Sequence, residues 1–529
     1  MSFRGQIVEL PIGTAGLTGT KNLSVLRPDQ LLEADNVSFF FGTLHKEGGA
    51  SKYNSTAITS APSVIGGWDW IPSDGIQRMI VVTSAGDILR DTGAGTFGTT
   101  LASGLTVSSV VPFFVDCGKE AAANNRKLFI YTGKNAVQVL SGDGVTTTAL
   151  SSPPADWTGT SQPSFGVLHE GRVFAGGNLN DPHRIYYPLT TNHEDYLTAG
   201  AGSIAVFPGE GERLIAGASF KGGLILFKRP FGIYFVDTSN SDVTKWRVTK
   251  ISKNVGAVSP QSVVPIPDDL VFMDANANIH LLSATTEFGD VSTSNLSQAG
   301  DMSIYLQENL NLGQLQNARG IYYDGQKEVH FAVAGSGSTL VTRRIIIDYN
   351  RPDRPRFRFS TRDTCESLWL RKDSNGVPRP TSGDAAGFVW LMDQASRSKD
   401  SAGYNGQFQT AHTDLSFVDS PIPLASRRKN GKFLELVVEP QGNWNLSVDV
   451  LWDDAITQTL QFNMGTTGAS LGSFVLGTDK LAGSTVLNKK KRITGSGRRI
   501  SLIGRNSGDA QDFSVSKFLL HFSLGNERL

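Results

Sequence analysis

Only two cysteines, Cys117 and Cys365, occur in this chain of 529 residues, and they lie far apart. That usage excludes a disulfide scaffold and reads as two buried thiols in a protein made in a reducing compartment. Long apolar runs are missing too. No window approaches the roughly 18 apolar residues of a membrane span, so none is expected. The opening MSFRGQIVELPIGTAG holds no stretch suited to a secretory signal, because Glu9 interrupts what apolar run there is. A soluble protein not exported by the general route is therefore expected. Net charge is the third absence, since 49 Lys and Arg offset 49 Asp and Glu. This balance argues against a whole-molecule electrostatic grip on nucleic acid or membrane. There is also no G-x-x-x-x-G-K-[ST], no G-x-G-x-x-G after a strand and no C-x-x-C, which removes the usual phosphate-cradling and redox signatures.

What the chain does have is glycine, 57 residues of it, with 19% charged and 39% hydrophobic residues. This is a globular composition suited to many tight turns between short strands. A chain of this length calls for one large repetitive architecture with an appendage, or for three or four domains.

The stretch Gly211 to Ser297 organises the reading. It runs ERLIAGASF, KGGLILFKR, FGIYFVD, KWRVTKIS, SVVPIP, DDLVFMD, ANIHLLS and GDVSTSNLS, short runs rich in β-branched and aromatic residues. Arg229-Pro230-Phe231-Gly232 predicts a hairpin between Gly223 to Lys228 and Phe231 to Asp237. Asp274 to Asn278 serves likewise between Leu270 to Met273 and Ile279 to Ser283. The product is two units of four antiparallel strands, roughly 40 to 45 residues each, the size of a propeller blade.

The same rhythm starts at Val64 with VIGGWDWIP, IQRMIVVT and GDILRD. It continues through SVVPFFVD, RKLFIYTG, AVQVLSG, FGVLHEG, GRVFAGG and HRIYYPL, and resumes in ARGIYYD, EVHFAVA, RRIIIDY, ESLWLRKD and GFVWLMD. Asp324-Gly325 and Asn375-Gly376 are its strongest hairpin dipeptides. A helix near 301–312, with Asp301 as N-cap, interrupts it. The expected fold is thus all-β: an irregular β-propeller of about seven blades, within six to eight, over residues 63–424. Residues 1–62 form an N-terminal extended segment with few strong strands, in which Arg27 to Ala34 reads as one or two helical turns and Ala34 to Gly42 as a strand running into a Gly turn. Residues 425–529, with longer strands, form a separate C-terminal antiparallel β-sandwich, joined through Ser420-Pro421-Ile422-Pro423-Leu424.

Chemical signals are sparse. Gly468-Ala469-Ser470-Leu471-Gly472 matches G-x-S-x-G but precedes a strand-like run where the nucleophile elbow needs a helix. Asp274, Asn276 and Asn278 imitate a calcium loop, but Ile279 and Thr285 stand where Gly and Glu are required. Residues Thr381 to Trp390 approximate the Asp box of sialidase propellers with one residue too many, and that box is itself a structural turn. His183 and His193, with Glu194 and Asp195, fit no compact zinc spacing. Asp268-Asp269 and Asp453-Asp454 read as turn residues. No catalytic, cofactor-binding or metal-binding residue is expected, and no enzymatic activity.

Charge is unevenly placed. From Ala425 onward 14 Lys and Arg face 9 Asp and Glu, a balance of +5 that leaves the first 424 residues at −5. Most of it lies in Arg427, Arg428 and Lys429, in Lys489, Lys490, Lys491 and Arg492, and in Arg498 and Arg499. These nine residues are either a solvated face or a dock for an acidic partner or for passing DNA. Without interleaved aromatics they make no case for base stacking.

The order of elements resembles the tail nozzle proteins of short-tailed bacteriophages, including the type once called packaged-DNA stabilisation protein. The resemblance is carried by RVFAGG, HRIYYPL, GERLIAGASFKGGLILFKRPFGIYFVD, ISKNVGAVSPQSVVPIPDDLVFMDANANIHLLS, GDVSTSNLS, the following helix and GIYYDGQKEVHFAVA. Asn36-Val37, Gly42-Thr43-Leu44, Gly48-Gly49 and Val255-Gly256-Ala257 add to it. It spans most of residues 30 to 525 and rests on arrangement and short motifs. It implies a structural virion protein of the tail, made in the host cytoplasm, with no active site to carry over. Such proteins form a homo-oligomeric, hexameric ring under the portal and head–tail adaptor, beside tail fibre or spike proteins. They touch double-stranded DNA transiently while retaining and then conducting it. The alternative is a glycan-binding or glycan-cleaving propeller for host recognition, on the strength of the near Asp box and of Trp68, Trp70, Trp369 and Trp390. A cellular scaffold propeller is a third possibility.

Overall fold

A strand with one wet face alternates apolar and polar residues, whereas a strand covered on both faces is apolar throughout. Both patterns occur in this chain and each finds its place. The computed structural model describes residues 6–13, 15–22, 26–40, 42–119, 126–142, 144–145, 147–284, 291–349, 355–421, 423–466 and 486–525. The first 62 residues, which promise few strong strands, supply six: β1 (Gln6–Pro11), β2 (Gly16–Leu17), β3 (Gln30–Asp35), β4 (Val37–Phe40), β5 (Thr43–Lys46) and β6 (Gly49–Lys52).

Five four-stranded antiparallel sheets follow in succession. They are β7–β10 (Val64–Trp70, Arg78–Thr83, Ile88–Arg90, Thr99–Ala102), β11–β14 (Phe113–Lys119, Arg126–Tyr131, Gln138–Leu140, Thr147–Ala149) and β15–β18 (Phe165–His169, Arg172–Gly176, Arg184–Tyr187, Gly202–Ala205). Then come β19–β22 (Arg213–Phe220, Gly223–Arg229, Ile233–Asp237, Arg247–Ser252) and β23–β26 (Val263–Ile266, Asp269–Met273, Ile279–Ala284, Val291–Asn295). The sixth is β31–β33 (Ser367–Lys372, Pro378–Gly383, Val389–Gln394), completed by β6 from the other end of the chain, with Lys52 opposite Trp390. These six sheets form a β-propeller arrangement. First strands pack side by side in the order β7, β11, β15, β19, β23, and β31 returns to β7. Covered on both faces, inner strands such as GLILFKR of β20 are buried almost end to end.

Between the fifth and sixth sheets lie α1 (Met302–Asn309) and β27–β30 (Arg319–Tyr323, Glu328–Val333, Arg343–Asp348, Arg356–Ser360). Strand β27 packs between β23 and β31, while β30 runs on through β3 into a ten-stranded sheet. That sheet continues through β34 (Gly406–Thr410), β40 (Ile500–Asn506), β36 (Asn445–Trp452) and β37 (Ala455–Asn463), with β2 beside β3. A seven-stranded sheet holds β38 (Leu487–Arg492), β35 (Lys429–Val438), β41 (Ser514–Leu524), β5 and β4 in order, with β1 on β41 and β39 (Ser496–Gly497) on β35. The inner faces of these two sheets share one apolar core, Leu434, Leu436, Phe518 and Leu520 meeting Leu446, Val448, Val450 and Leu502. Val329, Phe331, Ile345 and Ile347 of β28 and β29 belong to the same core, as do Met302 and Leu306 of α1. Pairing and packing therefore cross both expected boundaries, 62/63 and 424/425, and the C-terminal strands are not separate from the rest. Longer strands after residue 425 do not mark a break in the core.

The central hairpins fall where turn chemistry places them: β20 with β21, ended by Gly232 at φ 121°, and β24 with β25 across Asp274 to Asn278. Two details differ from expectation. Asp324-Gly325 is not a two-residue turn; Tyr323 pairs with Glu328, and Lys327 takes the left-handed position at φ 54°. Asn375-Gly376 lies within a loop from Asp373 to Val377, with Gly376 at φ 78°. Asp301 stands at the helix N-cap, but at φ 55°, and its side chain caps nothing; it accepts from Thr20 Oγ1 at 2.6 Å. A preceding 3-10 turn at Leu296–Asp301 rotates the carboxylate away from the helix start.

Closure of the sixth sheet depends on Gly49. A Cβ there would lie 2.2 Å from Ser396 O and 2.4 Å from Ser398 O, both main-chain atoms. Gly49→Ala is expected to lower the free energy of unfolding by about 1–3 kcal/mol, since the backbone must give way. Urea unfolding measures it, and an unchanged midpoint would contradict this account of the closure.

Candidate functional site

The nine basic residues singled out in the sequence gather along one margin of the seven-stranded sheet. Strand β38 is its edge, with Lys489 opposite Leu436, Lys490 opposite Glu435, Lys491 opposite Leu434 and Arg492 opposite Phe433. Strand β39 brings the turn carrying Arg498 and Arg499 beside the start of β35, where Arg428 Nε donates to Ser496 Oγ at 2.9 Å. The main-chain N–H groups of Arg498 and Arg499 both donate to Asp453 Oδ1 at 2.9 Å.

They are not equivalent. Lys429 is only 1% exposed, and its Nζ donates to Asp414 O at 2.7 Å and Arg498 O at 2.6 Å. Burial pushes its ammonium down to about 8, against the pull of Asp414. It fastens two loops to β35 and presents nothing to a partner. Lys489 Nζ is drawn to Gly465 O at 2.7 Å, and burial lowers its pKa as well. Lys490 lies over the exposed Phe433 ring, 4.8 Å from its centroid. Arg427 is half-buried, while Arg428, Lys490, Lys491, Arg492 and Arg498 are exposed. A lysine-rich edge strand is itself a device against sheet-to-sheet pairing, so the patch serves the fold whether or not anything docks on it.

The densest charge cluster was not visible as a site in the sequence. On β28, β29 and β30, Val329, Phe331, Ile345, Ile347, Phe357 and Phe359 face the apolar core, and the alternate residues Glu328, His330, Arg344 and Arg358 face the other way. That pattern ordinarily marks a wet face. Here the charged face is buried against the β5–β6 corner and β33, around a cavity of about 310 Å³. Arg358 donates to both Glu328 oxygens at 2.7 and 2.8 Å, and Arg344 binds Glu47. His330 Nε2 donates to Glu328 at 2.9 Å. Burial would raise Glu328, but Arg358 and His330 hold it at about 2. Burial pushes the His330 imidazole down despite Glu328, so this is a hydrogen bond from neutral histidine. At the rim Tyr323 donates to Asp393 at 2.6 Å. Its acids and bases pair with one another, Glu328 with Arg358 and His330, and Glu47 with Arg344.

The remaining sequence signals resolve into turns. Asp274 Oδ1 accepts from the N–H groups of Asn276 and Asn278, both at 2.8 Å, and Oδ2 from His280 Nε2 at 2.9 Å. Asp384 does the same with Ala386, Phe388 and Trp390 Nε1, at 2.8, 2.8 and 2.9 Å. Asp373 repeats it with Asn375, Val377 and Arg379 Nε, at 2.9, 3.0 and 3.0 Å. Both the calcium-loop imitation and the near Asp box are therefore one hairpin device, an Asp bonding two, four and six residues ahead. Its last partner is His, Trp or Arg, so residue identity hides the repeat. Asp453 and Asp454 occupy a two-residue turn at φ 47° and 70°, between Trp452 and Ala455. His193 Nε2 donates to Gly171 O at 2.9 Å, and Glu194 pairs with Lys127 at 2.8 Å. No group of three metal-ligating side chains converges among the described residues. Gly468 to Gly472 lies outside the described residues. Trp70, Trp369 and Trp390 are buried, and Trp68 stacks on Phe114 with ring centroids 6.1 Å apart.

Removing one member of the buried ion cluster should cost far more than removing a pair. Glu328→Gln, which leaves the Arg358 guanidinium only the longer pairing with Glu47 at 3.8 Å, is expected to cost about 3 kcal/mol, and Glu328→Gln with Arg358→Met clearly less. Glu328 has a depressed folded pKa, so its contribution is complete above the unfolded value of 4.5 and disappears as pH falls towards about 2. Chemical unfolding across that window should show a steep acid limb in the parent and a flatter one in Glu328→Gln. Equal slopes would remove the carboxylate from the account.

No family model matches the chain, and no curated protein matches it. Among solved structures it is similar to one titled "Structure of U3-55K", with 8% sequence identity and a TM-score of 0.40, over 65% of this chain and 98% of that one. A likeness of that size carries no functional argument.

Proposed function

We propose that the chain is a structural virion protein, the tail nozzle of a short-tailed bacteriophage. It forms a hexameric ring that extends the portal and adaptor channel, retains packaged DNA and conducts it during ejection. In this reading β27–β30 is the seventh blade, since β27 sits between β23 and β31 and its outer neighbour β30 hands the sheet on to β3. The two sheets that hold the C-terminal strands are its sandwich, built with strands from the first 52 residues.

The observation that carries the proposal is the way the propeller's centre is shut. Gln261 Nε2, just before β23, donates across to Pro112 O, just before β11, at 2.6 Å. Arg319 at the head of β27 reaches Ile65 O at 3.3 Å and Asn317 O at 2.6 Å, and is buried. With these contacts crossing its centre among the described residues, the conduit in this reading lies between copies and not through one of them. A rigid disc with covered strand edges suits tiling round an axis. Zero net charge suits a wall past which DNA must slide, because each phosphate held by a cation adds to retention. Adaptor above, fibre or spike proteins below, and brief non-specific contact with duplex DNA are the partners this implies. Shape, and not reaction, is the function. The glycan reading loses its platform, because three of its four tryptophans are buried in packed cores.

Electron microscopy of the purified protein, alone and with a portal–adaptor complex, tests the proposal. Sixfold rings that cap the complex are expected; persistent monomers that never cap it would sink the reading. The variant Lys490→Glu with Arg492→Glu should reduce ring formation while leaving the unfolding midpoint within about 0.5 kcal/mol of the parent, as surface changes do. Unimpaired rings would remove the β38 edge from the assembly contact.

A further inference from the structure

A second polar cavity, of about 200 Å³, opens where the first strands of several sheets begin, and it is charged in one sense only. Arg213, Arg229 and Lys134 line it, together with Ser164, Thr132 and Gln316, and none of its described lining residues is Asp or Glu. Arg213 on β19 and Arg229 on β20 are direct cross-strand partners in an antiparallel pair. Like charges so placed destabilise a sheet, and the usual remedy is a carboxylate between them. Glu212, beside Arg213, is exposed on the far side of the strand and offers only weak compensation. Arg229 has one long contact, to Gln316 Oε1 at 3.3 Å, and Lys134 Nζ donates to Ser108 O.

Ser164 also lines the cavity, but its buried Oγ is turned towards Gly177. Two guanidiniums and an ammonium round a small space, with no carboxylate among the described lining residues, make a cationic site. Guanidinium forks match the oxygens of a tetrahedral oxyanion better than they match water.

We propose that this mouth of the propeller is a binding site for a phosphate-type oxyanion, either free inorganic phosphate or the terminal phosphate of a nucleotide. Arg213 and Arg229 clamp it, with the Lys134 ammonium beside them. The anion neutralises the cross-strand arginine pair and so ties β19 and β20 to the segments before β11, β15 and β27. The site is independent of the nozzle reading.

The test is a calorimetric and thermal-unfolding titration of the full chain with inorganic phosphate, with a nucleoside monophosphate and with a short DNA duplex, at ionic strength held constant with chloride. Saturable binding of phosphate, with a matching rise in unfolding temperature, is expected. Loss of a charge-assisted bond should weaken it roughly tenfold or more in Arg213→Gln and in Arg229→Gln. Ser164→Ala, whose lost hydroxyl faces Gly177, should leave it unchanged. The nucleotide arm assigns the source: tighter binding than inorganic phosphate points to a terminal phosphate, and weaker binding to the free ion. In the absence of phosphate Arg213→Gln should unfold no earlier than the parent, because the like-charge pair is gone. No saturable response to phosphate, an equal response in parent and both arginine variants, or a response to duplex alone would each overturn the proposal.

Discussion

Small sheets covered on both faces are stable only as members of a closed stack, and the closure here is made by strands from the first 52 residues. A four-stranded sheet with apolar residues on both faces leaves one of them wet unless neighbours cover both. Strand β6 completes the sheet of β31–β33, and β3 joins β30 in parallel and β34 antiparallel, with Asp35 opposite Phe359 and Ala34 opposite Phe408. Asn36, between β3 and β4, adds to the join by donating to Asn405 O at 2.8 Å and accepting from the N–H groups of Thr361 and Arg362. Each of these contacts spans more than 320 residues. Loop-closure entropy must therefore be met before the ring gains its packing, which is the signature of a slow-folding topology. The finished block is correspondingly hard to deform, because no sheet can move without disturbing both neighbours.

Joining two bodies through one sheet leaves polar residues where a core would otherwise be apolar. Three lysines show one solution. Lys46 donates to Gly508 O at 2.9 Å, Lys228 to Phe207 O and Glu210 O at 2.8 and 2.6 Å, and Lys429 to Asp414 O and Arg498 O. Burial pushes each down to about 8. All three cross-link a strand to loop carbonyls, which are strong acceptors in need of partners. The ion cluster of Glu47, Glu328, Arg344 and Arg358 is the other solution. Buried pairs of this kind add little net stability over apolar residues. They do penalise every misaligned register of β28–β30 against the β5–β6 corner, since a slip of one residue would bury an unpaired charge.

Strand rhythm, hairpin positions and the all-β class were legible because β-branched runs and turn residues act locally. LILF and IYFV need no distant partner to declare themselves strands, and Asp274 to Asn278 needs none to declare a turn. Of the six N-terminal strands only β4 was legible, and β3 stands where the sequence suggested helical turns. QLLEAD and TLHK are weak formers that become strands because β34, β30 and β41 are there to pair with them, so tertiary pairing overrode local propensity. The buried ion cluster was misleading for a different reason. RFRFS and EVHFAV alternate as half-wet strands do, and the sequence alone does not say that water is absent from the polar side. Of the basic residues, the gathering of three sequence segments on one margin needed the β35–β38–β39 pairing, and the burial of Lys429 needed the loops above it.

The charge distribution acquires meaning from the fold. Residues 1–424 sum to −5 and residues from 425 to +5, and much of the basic excess of the latter gathers at the β38 margin. Two copies meeting like to like would bring Lys490, Lys491 and Arg492 of one edge against the same residues of the other, which electrostatics disfavours. Head-to-tail contact, positive margin against the acidic propeller of the next copy, is favoured instead. Contacts of that heterologous kind either run on without end or close into rings. In the proposed ring, a stiff subunit would close at a number fixed by its wedge angle, because it would not bend to accept another. Wall elements whose own centres are shut, joined by polarity and carrying no net charge, would leave a duplex free to move through the space they enclose.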